Sequence, residues 1–264
     1  MHHHDPVATG AEPPRDQKVG DAPPPQPPTD HAADRLYPPA RMAAARRLLA
    51  SEHGGMTFHM LQADIAEWQL RAGRDGYRWE GEGWYGGDIN RLVVKTEGEG
   101  RSGRSADDAE VQALYSRAID PYWNLQAGAR QDLAGGGKRT WATAAIEGLA
   151  PYWFEVEGSL FLSNKGELAG RASAYYDLRI TQALVLQPRV EFNLAAQDSA
   201  ARREGSGLSS TDLDLRLRYE FRREFAPYVG VSHSRKHGDT ARYAKAAGRS
   251  PRGTALVVGV RAWF

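Results

Sequence analysis

From Asp212 to Arg222 charged and apolar residues alternate without a break: Leu213, Leu215, Leu217, Tyr219 and Phe221 interleave with Asp212, Asp214, Arg216, Arg218, Glu220 and Arg222. A period of two is the mark of a β-strand, whose successive side chains leave opposite faces. The pattern recurs. Leu184, Leu186, Val190, Phe192 and Leu194 stand against Gln187, Arg189, Glu191 and Asn193, with Pro188 an awkward member because it cannot donate a ladder bond. Phe154, Val156, Leu160 and Leu162 stand against Glu155, Glu157 and Ser159. Residues 171–180 set Arg171, Ser173, Tyr175 and Asp177 opposite Ala172, Ala174, Tyr176, Leu178 and Ile180. In segment after segment charge collects on one face.

Such segments number about twelve, near 56–70, 75–84, 89–99, 107–118, 121–132, 138–148, 152–163, 167–179, 182–195, 208–223, 226–236 and 252–264, each long enough to cross a bilayer. An even count returns both termini to one side. With the first strand running outward, the turns near 84–88, 119–121, 149–151, 179–182 and 224–227 are short, and the two longest connections, 196–207 and 237–251, share the opposite side. Short periplasmic turns alternating with longer extracellular loops are the habit of outer-membrane barrels. Val258, Val260, Ala262 and Phe264 alternate with Arg261 and Trp263 to give an aromatic carboxy-terminus, which resembles the assembly signal of many such barrels. The tryptophans at 68, 79, 84, 123, 141, 153 and 263 fall mostly near strand ends, as aromatic girdles require. The expected fold is therefore all-β: a transmembrane antiparallel up-and-down β-barrel of about twelve strands. A soluble barrel or sandwich is the alternative. It would point its charged faces to water, and twelve long strands would make it too wide to fill with side chains.

Composition narrows the classes further. No apolar run approaches the ~20 residues of a spanning helix, which excludes helical spanning only. A formal net charge of +1 gives no field to draw nucleic acid. Cysteine is absent, which removes disulfides, thiolate metal sites and cysteine nucleophiles together. The first 52 residues, with Pro23-Pro24-Pro25 and Pro27-Pro28, cannot bury a core and read as a disordered arm with a short helix over 40–52; the barrel domain is 53–264. Met1 leads into His2, His3 and His4 with no secretory leader, so an exported barrel is expected here in mature or trimmed form.

Chemistry-bearing residues gather at the doorway to the first strand, where His53, Met56, His59 and Met60 fall within eight positions. Thioether and imidazole suit copper, Cu(I) in particular. Strand packing of Met56 and Met60 is the other reading, as a purification-tag remnant is for His2 to His4. If Leu61, Ala63 and Ile65 face lipid, then Met56, Met60, Gln62 and Asp64 face the lumen and His59 turns away. Arg130, Asp132, Glu155, Glu157, Arg171, Asp177, Arg189, Glu191, Asp212, Asp214, Arg216, Arg218 and Glu220 would line the interior, paired across strands so as to narrow it, or guiding cations. No enzymatic motif emerges: Ser232 and His233 are adjacent on one strand and so point apart, and His237 with Asp239 is nonspecific.

Several segments in order carry a resemblance: Trp84-Tyr85-Gly86-Gly87-Asp88-Ile89-Asn90-Arg91-Leu92, Leu114-Tyr115-Ser116-Arg117-Ala118-Ile119 and Gly148-Leu149-Ala150-Pro151-Tyr152-Trp153-Phe154-Glu155. Gly205-Ser206-Gly207-Leu208, Leu215-Arg216-Leu217-Arg218-Tyr219-Glu220, Arg223-Glu224-Phe225-Ala226-Pro227-Tyr228-Val229-Gly230-Val231 and Gly259-Val260-Arg261-Ala262-Trp263-Phe264 extend it. From about residue 56 onward the chain resembles the copper-resistance protein B family. The resemblance implies an outer-membrane barrel in outer-membrane lipid, its arm in the periplasm, acting with periplasmic copper-resistance proteins to move or sequester copper. Where that family loads its arm with Met and His, this arm is Pro-rich and offers only Met1, His2, His3, His4 and His31. The expected copper ligands are accordingly His53, Met56, His59 and Met60, with Asp64, at the periplasmic mouth. A copper-indifferent narrow pore or structural barrel is the competing expectation.

Overall fold

The computed structural model describes residues 31–135 and 138–264, in two units divided after Gly54. Met1 and His2 to His4, the residues the arm offers besides His31, lie outside the described residues, as does most of the arm. In the first unit a 3-10 turn, Ala32–Arg35, precedes helix α1, Pro39–His53. Proline at the first helical position loses no hydrogen bond, and the Ala, Leu and Arg that follow are strong helix formers. Arg46 Nη1 donates to Asp34 Oδ1 at 2.6 Å, which ties turn to helix and holds the Asp34 carboxyl below its ordinary range.

The second unit is built from β1 (Phe58–Arg71), β2 (Gly76–Gly86), β3 (Asn90–Arg101), β4 (Ala106–Ala118), β5 (Trp123–Ala134), β6 (Thr140–Ala150), β7 (Phe154–Ser163), β8 (Leu168–Tyr175), β9 (Leu178–Arg179), β10 (Leu184–Ala195), β11 (Gly207–Tyr219), β12 (Phe225–Lys236) and β13 (Arg252–Trp263). Each pairs antiparallel with its neighbours, β8 and β9 both along β10, and β13 returns to pair with β1. Leu61 and Phe264 complete that seam by exchanging backbone hydrogen bonds of 3.0 and 2.8 Å. Segments β8 and β9 make one crossing, so the closed barrel has twelve. The gap between them lies opposite Pro188, which has no N–H to give; its carbonyl still accepts from the Tyr176 N–H at 3.2 Å.

Side chains divide by parity into an apolar outside and a charged inside. Leu160, Leu256 and Val229 are 61%, 60% and 55% exposed, whereas Arg216, Glu67 and Arg130 are only 2%, 5% and 5% exposed. A soluble barrel would show the reverse, so the soluble alternative falls. The outer surface carries aromatic bands at both ends. Tyr77 and Trp79 stack on one another beside Gly98 and Gly100, where a Cβ would overlap their rings. At the opposite end stand Tyr85, Tyr115, Tyr152, Trp153, Tyr219 and Phe225, all exposed.

Two expectations need correction. Ile65 does not face lipid: a bulge between Ala63 and Ala66 inserts one residue, so Ile65, Glu67 and Gln69 turn inward. Trp141 belongs to no outer girdle. It is an inward, fully buried residue whose indole N–H donates to Asp132 Oδ2 at 2.9 Å. The end holding the strand termini has short turns, whereas the other carries residues 196–206 and 237–251, the latter containing helix α2 (Gly238–Ala246). Thr240 of α2 accepts the Gly205 N–H at 2.8 Å, folding the two long loops together.

An inside-out barrel tolerates charge on one face only. Leu215→Arg, outward near mid-strand, is expected to lower folding stability in lipid vesicles by ~2–4 kcal/mol, while inward Ser159→Ala stays near wild type; urea titration of the refolded protein measures both.

Candidate functional site

Inward side chains meet across the lumen rather than only along neighbouring strands. Arg189 of β10 reaches Glu80 of β2 at 2.9 Å, and Arg78 of β2 lies 3.6 Å from both Glu191 of β10 and Asp214 of β11. Arg171 of β8 meets Glu97 of β3 at 2.5 Å and Glu110 of β4 at 3.2 Å, while Arg216 of β11 donates to Glu67 of β1 at 3.0 Å. Each guanidinium offers a planar fork of donors, which lets one arginine serve carboxylates on several strands. The sequence pattern points to Arg171, Arg189, Glu191, Asp214 and Arg216 as lining residues paired across strands, but not to their partners Glu67, Arg78, Glu80, Glu97 and Glu110 on β1 to β4. It did not anticipate which strands they would join.

Two cavities flank this barrier. One, of about 890 Å³, opens at the end where the strand termini lie; the second, of about 580 Å³, lies toward the long loops. Glu97, Arg171 and Glu191 line both, so they form the septum. The larger cavity is lined by ten carboxylates and five Arg or Lys side chains. Part of the acidity is neutralised from within: Lys95 Nζ donates to Glu147 at 2.8 Å and Glu157 at 3.1 Å, and lies 3.8 Å from Glu82. Carboxylates remain in excess. Low-dielectric walls focus the resulting negative potential, so the cavity favours cations.

The expected copper ligands divide among different places. His53 is the last residue of α1, in the first unit. Met56 precedes β1 and is exposed. His59 lies on the outward face of β1 opposite Tyr85, whereas Met60 turns inward opposite Trp84 and lines the larger cavity with Gln62 and Asp64. Asp64 is already engaged: its Oδ1 accepts from Gln62 and from Arg261 Nε, the latter at 3.1 Å. Among the described residues no group of three or more His, Asp or Glu side chains forms a metal site. Sequence reasoning missed that Glu82, Lys95 and Glu147 line the same cavity as Met60. Their alternation within β2, β3 and β6 was the available signal.

Ser232 is buried on the inward face of β12, while the outward His233 has Nδ1 2.8 Å from Thr254 Oγ1. His237 Nε2 lies 3.0 Å from Thr211 Oγ1.

Arg171 is the keystone of the septum. Arg171→Gln leaves Glu97, Glu110 and Glu191 without their shared counter-charge, and is expected to cost ~3 kcal/mol of stability, the low end for a buried pair because lumen water screens the loss. Single-channel conductance in planar bilayers should rise in the same variant; unchanged conductance would place the barrier elsewhere.

Comparison with known proteins gives consistent matches. A family model described as "Copper resistance protein B precursor (CopB)" matches residues 57–264. "Copper resistance protein B" of Escherichia coli is 42% identical over 212 residues, covering 80% of this chain and 71% of that protein. "Copper resistance protein B homolog" of Pseudomonas syringae pv. tomato is 40% identical over 239 residues, covering 88% and 81%. Among solved structures, the NanC porin superposes with a TM-score of 0.53 at 14% identity, over 76% of this chain and 98% of the porin; that likeness concerns the fold alone.

Proposed function

The chain belongs to the copper resistance protein B family, and on that premise we propose that it is an outer-membrane copper-resistance barrel that takes copper ions as cargo at the mouth where its strands begin and end. In this reading the short turns and the first unit face the periplasm, where other copper-resistance proteins deliver the ion, and the long loops face outward. The observation that carries it is the setting of Met60: a thioether sulfur, the soft ligand Cu(I) prefers, inside a cavity whose carboxylates outnumber its cations ten to five. The carboxylates concentrate cations without selecting among them. Met60 supplies the selection, and Asp64, farther along the same wall of the cavity, exchanges Arg261 for the ion as it moves inward.

Met56, exposed ahead of β1, serves as a first contact on the approach. His59, on the outer face, takes no part inside the lumen, and His53 belongs to the separate helical unit. Few and weak ligands suit passage better than storage, because an ion must leave as readily as it binds.

A second reading, a copper-indifferent narrow pore or structural barrel, draws support from the cross-lumen ion pairs, which suffice to hold the septum shut. Under a salt gradient such a barrel would pass small ions without discrimination or none at all. The test of the first reading is Cu(I) binding to the full chain in detergent. Met60→Leu should weaken it at least tenfold, and Met56→Leu should leave most of it. Equal binding by wild type and both variants would overturn the assignment of Met60.

A further inference from the structure

Buried guanidinium groups in this barrel are matched to carboxylates, and the outer surface holds an exception. Arg235 of β12 and Arg252 of β13 are directly paired in the ladder, and both side chains stand on the outward, exposed face near the long-loop end. Among the described residues no carboxylate lies within 4.0 Å of either. Like charges placed opposite one another in a sheet repel and destabilise the pair. Thr211, paired with Arg235 on its other flank, is uncharged, and its hydroxyl lies 3.0 Å from His237 Nε2.

The chemistry just below the two arginines is different. One step toward mid-barrel lie Leu213, His233 and Thr254, and the next outward positions are Leu215, Val231 and Leu256; the four apolar residues are exposed. The arginine pair therefore sits at the upper border of the lipid-facing apolar surface. Two arginines paired across adjacent strands on one face put two guanidinium forks within reach of one phosphate, and the apolar residues beneath match hydrocarbon chains. We propose that Arg235 and Arg252 form a clamp for the phosphate headgroup of an anionic lipid, whose chains lie along Leu213, Val231 and Leu256. A phosphate between the guanidiniums relieves their repulsion, so the lipid completes the β12–β13 ladder. The clamp lies on the outer surface and is independent of copper handling in the lumen.

The experiment uses the full chain in vesicles of phosphatidylglycerol and phosphatidylcholine in equal parts, extracted gently and weighed with its retained lipid by native mass spectrometry. Wild type should retain phosphatidylglycerol preferentially. Arg235→Gln with Arg252→Gln should reduce that preference about thirtyfold, at roughly one interfacial arginine's attraction each, while Arg74→Gln with Lys165→Gln, which removes two loop cations, should keep it. In pure phosphatidylcholine the double arginine variant should unfold at the wild-type temperature or above, since a repulsion has been removed. Equal preference in wild type and the double arginine variant would overturn the proposal, as would a lower unfolding temperature in phosphatidylcholine. So would protection of the wild type by inorganic phosphate alone, which would make this a free-anion site.

Discussion

A strand facing hydrocarbon cannot leave an N–H or C=O unpaired, because no water is present to take it. This chain meets the requirement by bringing β13 back to β1, with Leu61 and Phe264 exchanging the final backbone bonds of the seam. Closure then dictates everything about the side chains. With no edge and two faces, alternate residues must suit lipid and the rest must suit an enclosed lumen. The interior is too wide for an apolar core, so long charged side chains fill it and pair across it.

Ion pairs of this kind contribute more to shape than to net stability, since desolvation offsets much of their attraction. Their value lies in position. Arg78, Arg171 and Arg189 reach from one wall to carboxylates on another, dividing the lumen into two cavities around a septum of Glu97, Arg171 and Glu191. The acidic excess on the terminal side follows from where the carboxylates of β2, β6 and β7 fall in the alternation. The same alternation that serves the membrane thus sets the charge of the cavity on the terminal side.

Much of this was legible in the residues. Strand number and placement followed from period-two runs, and the observed bounds fall within a few positions of those read from sequence. What escaped had local physical causes. The alternation Leu61, Ala63, Ile65 reads as one face, yet a bulge at Asp64 reverses the phase beyond it, which no residue type announces. Trp141 lies among Ala142, Ala144 and Ala145, small residues that fit either face, so its inward turn toward Asp132 was hidden. Helix α2 is not legible in the sequence because it is a short element inside a long connection. At the mouth, Met56, His59 and Met60 are close in sequence but do not share a face, as strand geometry separates neighbours.

We propose that this barrel admits copper at an acidic mouth and that Met60 distinguishes it from other cations. The direct measurement is Cu(I) uptake into vesicles that carry the protein and enclose a Cu(I) chelator, set beside potassium uptake by the same vesicles. Cu(I) accumulating well above protein-free vesicles, faster than potassium and slowed by Met60→Leu, is the predicted result. Cu(I) uptake no greater than in protein-free vesicles would contradict it.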